Sequence, residues 1–403
     1  MASSAIRDRR LVYVSAFVRS TATGLVGVEL GLYLTVRGLS AAEVGYVVAA
    51  GLGGAGLAAL VATLVADTHG RRRMLVEIAL LSAAGAIFVA SGSTPLILGL
   101  ASFAGMLNGM GRDRGAALIV EQAILPATVT DERRTRAFAL YNVVQDMGHA
   151  SGALLAAIPQ ALGAAGLSRV ESHRATFVVY AGMLLLAAVL HRMLSSGVET
   201  EGRRGLGHVS AASRRIIARI SALFALDSLG GGFLSTALLA YFFFERFGVS
   251  EMAIAGLFFA ARILNALSHL GAAWLARRIG LVNTMVLTHM PSSFLLVTVA
   301  FAPTFPIAAA LFILREGLVE MDVPTRQSYV LAVVRPEERT FASGVTNLVR
   351  MAMWAVAPAL GGLLMQHVAL MTPLLVGAAI KIAYDVLLWV SFRAVKPPEE
   401  RSC

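Results

Sequence analysis

The chain has 403 residues, 57% of them hydrophobic and only 14% charged, with a mean hydropathy of +0.73 and a formal charge of +10. A soluble domain carries about 25% charged residues, so this composition excludes an ordinary soluble enzyme or nucleic-acid-binding module and points to lipid as the solvent. The single cysteine, Cys403, excludes disulfide frameworks and thiolate metal clusters.

Apolar runs long enough to cross a bilayer, roughly 17–25 residues each, recur from end to end. Twelve transmembrane helices are predicted, at about 11–35, 41–66, 73–92, 95–125, 134–162, 172–193, 214–244, 250–277, 281–302, 304–333, 337–366 and 370–393. The first run is too long for a signal-peptide core and is followed by no small-residue cleavage site, so it is expected to stay as a helix. It carries Arg19 and Glu29. Between segments 2 and 3 stands "DTHGRRR", Asp67 to Arg73. Gly70 permits a tight turn there, and Asp67 can pair with an arginine or a helix N-terminus in one conformational state.

Segment 4 contains "GMGRDRGAALIVEQAILP", residues 109–126, with Arg112, Asp113, Arg114 and Glu121 in a run that reads as continuous helix. At 100° per residue, Arg114 and Glu121 fall on one face, whereas Arg112 and Arg114 lie 200° apart and cannot both face a cavity. Which one does stays open. Segment 5 holds Asp146 and His149, spaced to satisfy each other, and Gly148 and Gly152, a small-residue packing face. A polar stretch at 194–213, "SSGVETEGRRGLGHVSAASR", reads as a cytoplasmic linker.

Beyond the linker, Asp227 lies in segment 7 and Arg262 and His269 in segment 8. Arg315, Glu316, Glu320, Asp322 and Arg326 follow in segment 10, where Arg315 and Asp322, seven apart, share a face and Pro324 can form a hinge. Arg350 is in segment 11. Lys381 and Asp385, one turn apart in segment 12, are expected to form a local ion pair. Glu29, Glu121, Arg326 and Arg350 are expected nearer the interface. Arginine clusters flank alternate loops (Arg71–Arg73, Arg133–Arg136, Arg203–Arg215, Arg277–Arg278, Arg335–Arg339), which by the positive-inside rule puts both termini in the cytoplasm.

The chain also repeats itself. At an offset of 205, Gln122 falls on Gln327, Arg134 on Arg339, Thr135 on Thr340 and Asn142 on Asn347, while Tyr33 falls on Tyr241 and Gly70 on Gly280 at offsets of 208 and 210. An ordered series with a slowly drifting offset implies two parallel six-helix halves, residues 1–193 and 214–403. Such a pair suits a transporter with its site between the halves. Arg19 lands on Asp227 at 208, so segments 1 and 7 bring opposite charges to equivalent positions.

These features resemble the major facilitator superfamily, whose loop signature after the second helix is roughly G-x-x-x-D-R-x-G-R-R/K. Asp67, Gly70, Arg71 and Arg72 match it, with Thr63 and Thr68 replacing a glycine and an arginine. The mirrored "AWLARRIG" keeps Gly280 but has Arg277 at the aspartate position. The antiporter signatures of helices 4 and 5 are incomplete: no Gln-Gly follows the arginines, and "APALGG", with Pro358, Gly361 and Gly362, occurs in segment 11 instead. The resemblance implies an all-α membrane protein of two pseudo-symmetric six-helix bundles, with helices 1, 4, 7 and 10 lining a central cavity and a bacterial, efflux-type transporter among its readings.

A charge at a helix centre costs about 2.5–3.5 kcal/mol on insertion scales and so tends to face a cavity with a partner. The expected function is alternating-access transport of a small polar or amphipathic organic solute across the cytoplasmic (inner) membrane, as proton-coupled export. Arg19, Arg112, Arg114, Asp227, Arg315 and Asp322 are the substrate-binding candidates. Asp113, Asp227, Asp322 and Glu316 are the proton-coupling candidates, and Asp67, Gly70, Arg71 and Arg72 form the latch. Protons and lipids are the expected partners of a monomer, and no cofactor, metal, nucleic acid or enzymatic reaction is expected. The alternatives are an organic-anion importer or symporter, and a non-transporting receptor or assembly factor on the same scaffold.

Overall fold

The computed structural model describes residues 2–113, 115–129, 131–199, 211–322, 325–326, 329 and 339–392. All regular structure among the described residues is helical, and each of the twelve predicted segments contains helix. In chain order the helices are α1 (Ala2–Val36), α2 (Ala41–His69), α3 (Arg71–Ser91), α4 (Pro95–Gly105), α5 (Ala116–Ile124), α6 (Asp131–Leu155), α7 (Ile158–Ala164) and α8 (Arg169–Arg192). They continue as α9 (Ala211–Gly232), α10 (Thr236–Phe247), α11 (Glu251–Ile279), α12 (Leu281–Phe301), α13 (Phe305–Val319), α14 (Arg339–His367) and α15 (Thr372–Phe392). Among the described residues, nine helical segments are long and apolar enough to cross a membrane.

Local chemistry sets the boundaries. Ser40 and Glu43 form a reciprocal capping box at the start of α2, and Ser168 and Glu171 do the same for α8. Gly70 (φ 101°) turns the chain between α2 and α3 in a region that a side chain would oppose.

Segment 4 is not one helix. The chain leaves α4 through Met106 (φ 53°) and does not re-enter helix until Ala116. The 100°-per-residue comparison of Arg112, Arg114 and Glu121 therefore does not apply. Asn108 organises the break: its side chain donates to Arg112 O (2.6 Å) and accepts from Met110 N (3.0 Å). Segment 7 is also interrupted, between α9 and α10, and segment 5 between α6 and α7.

The chain forms two compact units. The first comprises Met1–Arg204 and Ser235–Phe259. In it α1 packs on α6 and α8, α3 on α8 and α4, and α2 on α4 and α5. The α1–α6 crossing is close enough that a Cβ on Gly152 would sit 1.9 Å from Thr21 O. The helix α10 also packs on α1, and its first turn bonds to the α4–α5 break, where Ala237 N donates to Gly109 O (3.0 Å) and Thr236 Oγ1 donates to Met110 O (2.7 Å). In the second unit, Gly205–Leu234 and Ala260–Cys403, α9 packs on α14 and α15, and α12 on α13 and α15. The pairings α1–α6, α1–α8, α3–α8 and α3–α4 of the first unit thus recur as α9–α14, α9–α15, α12–α15 and α12–α13.

Candidate functional site

In the first unit, Glu121 of α5 is the hub of a buried polar network and is itself 0% exposed. Its Oε2 accepts from Arg19 of α1 (2.6 Å) and from Tyr141 of α6 (2.6 Å). Its Oε1 accepts from Ser15 (3.1 Å) and lies 2.9 Å from His191 Nε2 of α8. Arg19 also pairs with Asp113, in the break between α4 and α5. Asp113 Oδ1 accepts from Gly115 N (3.0 Å), and Asp113 N donates to His149 Nε2 (3.0 Å). The imidazole of His149 thus reaches the α4–α5 break.

In the second unit, Asp227 of α9 plays the hub. Its Oδ2 accepts from Arg326 (2.9 Å) and its Oδ1 from Lys381 of α15 (2.9 Å). Arg326 also donates to Asp322 (2.8 Å), and Arg350 of α14 donates to Ser228 Oγ (3.1 Å). Lys381 does not form the local pair with Asp385 expected from their spacing. His289 of α12 stands between them, 3.1 Å from Lys381 Nζ and 2.9 Å from Asp385 Oδ1.

The two networks correspond with inverted sign. Arg19 maps onto Asp227 at an offset of 208, and Glu121 maps onto Arg326 at 205. The first unit pairs cation with anion where the second pairs anion with cation. Glu121 and Arg326 are buried within the protein, at 0% and 3% exposure, each as the partner of a buried opposite charge. Glu29 is likewise buried: it lies 2.7 Å from His173 Nδ1 of α8, whose Nε2 is 3.4 Å from Glu251, itself 3.6 Å from Arg169. Formal charge alone passed over His191, His173 and His289, on segments 6 and 9, whose middles carry almost no other charge.

The remaining candidates are placed as follows. Arg112 contributes its carbonyl to the Asn108 turn. Arg114 lies outside the described residues, as do Pro324 and Gln327. Arg315 pairs with its neighbour Glu316, which also accepts from Asn265 of α11 (2.9 Å). The helix α13 ends at Val319, so Arg315 and Asp322 do not share an unbroken helical face.

At the turn between α2 and α3, Arg71 Nε donates to Asp67 (2.8 Å), while its Nη1 donates to Ala123 O at the end of α5 (3.1 Å) and to Val198 O (3.4 Å). Arg72 donates to Leu194 O (3.2 Å). The anion on the α3 N-terminus is Glu199, which accepts from Arg71 N (2.7 Å) and Arg72 N (3.2 Å). Asp67 faces the arginine and Glu199 the helix end, so the two roles open to Asp67 in sequence are divided between two acids.

A buried, polar, cross-helix network in each unit of an all-helical membrane chain is compatible with many activities, and comparison with known proteins narrows them. Over 97% of its length the chain is 24% identical to the uncharacterized membrane protein YJR124C of Saccharomyces cerevisiae, of which the match covers 95%. Its fold is similar to that of the nucleoside transporter NupG (TM-score 0.75, 14% identity, 96% of this chain and 99% of that one). A bacterial homologue of the human lysosomal transporter Spinster gives 0.70 at 14% identity (96% and 95%), and a D-xylose–proton symporter 0.71 at 13% (94% and 97%). The family model of the Major Facilitator Superfamily matches residues 12–358. The chain is a multi-pass membrane protein of the Major Facilitator Superfamily, a transporter rather than an enzyme.

Proposed function

We propose that the protein is a proton-coupled secondary transporter that moves a small polar or amphipathic organic solute by alternating access, as an exporter of the cytoplasmic membrane with both termini inside. The observation that carries this reading is the sign-inverted pair of networks, Arg19–Glu121 and Asp227–Arg326. Each of these charges costs about 2.5–3.5 kcal/mol to place at a helix centre. Packed apolar residues in place of a buried ion pair would often be neutral or stabilising. Fold stability therefore gives little reason to keep them, whereas a charge that exchanges partners between two conformations gives a strong one.

In this reading the halves at 1–193 and 214–403 rock against each other about the 194–213 linker. Asp113 and Asp227 are the first proton-coupling carboxylates, with Asp322 and Glu316 behind them. Arg19, either Arg112 or Arg114, and Arg315 receive the anionic part of the solute or stabilise the unprotonated carboxylate. Asp67, Gly70, Arg71 and Arg72 hold one end state, with Glu199 as the group they release. A D-xylose–proton symporter stands among the structural neighbours, which supports a proton as the coupling ion.

The test is transport into proteoliposomes under an imposed pH gradient, with solutes chosen by comparing metabolites of cells that have and lack the protein. Gradient-driven transport that is undiminished in Asp113→Asn, in Asp227→Asn and in their combination rules these acids out as proton sites. A receptor or assembly factor on this scaffold would instead move no solute, and its own activity would tolerate neutralisation of Arg19 and Asp227.

A further inference from the structure

One titratable group of the second network is used by nothing above. His289 lies on α12, and its side chain is 2% exposed. Its ring nitrogens have different partners. Nδ1 faces the carboxylate of Asp385 at 2.9 and 3.1 Å, and Nε2 faces the Nζ of Lys381 at 3.1 Å. Lys381 is meanwhile 2.9 Å from Asp227 Oδ1, which is itself 3.7 Å from His289 Nε2.

Proton positions follow from these contacts. An ammonium has three donors and no acceptor, so Lys381 donates to Nε2 and Nε2 must be bare. Nδ1 then holds the ring's single proton and donates it to Asp385, a carboxylate that can only accept. His289 is therefore a neutral imidazole in one tautomer, fixed by Asp385 on one side and Lys381 on the other.

A second ring proton can bind only at Nε2, where the Lys381 N–H now points. Two N–H groups cannot be aimed at each other across 3.1 Å, so uptake requires Lys381 to withdraw. The new Nε2–H then faces Asp227 Oδ1, the oxygen that Lys381 vacates. We propose that His289 is a proton-exchanging group of this transporter and that its protonation displaces Lys381 from Asp227. One N–H bond forms at Nε2 at the expense of a proton donor in water, and two Lys381 hydrogen bonds break. The freed ammonium becomes available to an anionic partner. The chemistry stands on these contacts, and its purpose rests on the proton-coupled reading above.

Among the described residues, the groups recorded against the ring are Lys381, Asp227, Asp385 and Tyr384. From α15 the ring meets Lys381, Asp385 and the edge of Tyr384, whose centroid is 5.8 Å away. From α9 it meets Asp227. On α13, Arg315 and Glu316 are engaged with each other and with Asn265. Asp227 is held from behind by Arg326, so the oxygen that changes partners is Oδ1 while Oδ2 stays fixed.

The test is nitrogen NMR of histidine-labelled full-length protein in lipid nanodiscs with no solute added. The His289 signals are assigned, among the eight histidines, by their loss in His289→Gln. The expected wild-type ring at neutral pH is neutral and protonated on Nδ1. At the same pH, Lys381→Met should raise the ratio of doubly to singly protonated ring at least tenfold. A wild-type ring protonated on Nε2, or a ratio that Lys381→Met leaves unchanged, overturns the proposal. Should Lys381→Met fail to fold, the wild-type tautomer alone decides it. Since no solute enters the measurement, failure of the liposome assay would leave this result standing, and failure here would leave transport standing.

Discussion

Arg19→Gln is the most informative perturbation of the first network. Arg19 is the only arginine or lysine seen to pair with Asp113 and Glu121 among the described residues, so its removal leaves both carboxylates without that counter-charge. At 2.6 Å from Glu121 and an effective permittivity of about 20, the lost attraction is about 6 kcal/mol. Relief of the arginine's own desolvation offsets part of this, and measured losses on breaking buried pairs are about 3–5 kcal/mol. The upper part of that range is expected here because two acids are affected. Adding Glu121→Gln should recover at least about 2 kcal/mol, since one of the two orphaned charges disappears while the side-chain shape is kept. Reversible unfolding of the purified protein in mixed detergent–lipid micelles, followed by helicity, measures all three variants. The reasoning fails if Arg19→Gln costs less than about 1 kcal/mol, or if the double variant is as unstable as the two single losses summed.

The turn between α2 and α3 yields a second expectation. Glu199→Ala removes the acceptor of two backbone amides at the α3 N-terminus and should cost about 0.5–2 kcal/mol, as loss of a helix cap does. Its effect on stability should exceed that of Asp67→Asn, whose carboxylate is itself exposed; equal losses in thermal unfolding would argue against Glu199 as the cap. Transport that is indifferent to Asp67→Asn would also sink its role as a latch. At the α1–α6 crossing, Gly152→Val puts a side chain where only 1.9 Å separates the Cβ position from Thr21 O, and should abolish the folded fraction in size-exclusion profiles. Gly99→Ala, whose Cβ position has no atom within 4 Å beyond its own local helix, is the control and should leave the profile unchanged.

The helical class and the positions of the segments are legible in sequence because lipid imposes one rule on every residue of a span. Backbone groups must be satisfied within the helix, and side chains must be apolar over a fixed length. The break in segment 4 escapes that rule. Hydropathy averages over Met106–Gly115 without noticing that Asn108–Gly109 is a strong turn-forming dipeptide, or that Gly109, Gly111 and Gly115 remove helix preference from the same stretch. With those residues weighed, Arg112 and Asp113 read as loop residues at membrane depth, stabilised by Asn108, rather than as points on a helical wheel. The histidines are illegible for a different reason. A lone imidazole in an apolar helix has no local signature, and the partners of His191, His173 and His289 lie 70, 144 and 96 residues away.

The repeat holds more information than residue identity draws from it. Identical residues such as Gln122 and Gln327 reveal the offset, yet the structure's central pairs are made of residues that differ in sign. Applying 205 to Glu121 gives Arg326, just as 208 takes Arg19 to Asp227. Those two steps already turn an Arg–Glu pair in one half into an Asp–Arg pair in the other. The pairing itself is the reason for Glu121 and Arg326 to be buried within the protein. A carboxylate equivalent to an arginine, each facing the opposite charge from the first helix of its half, is consistent only with burial of both.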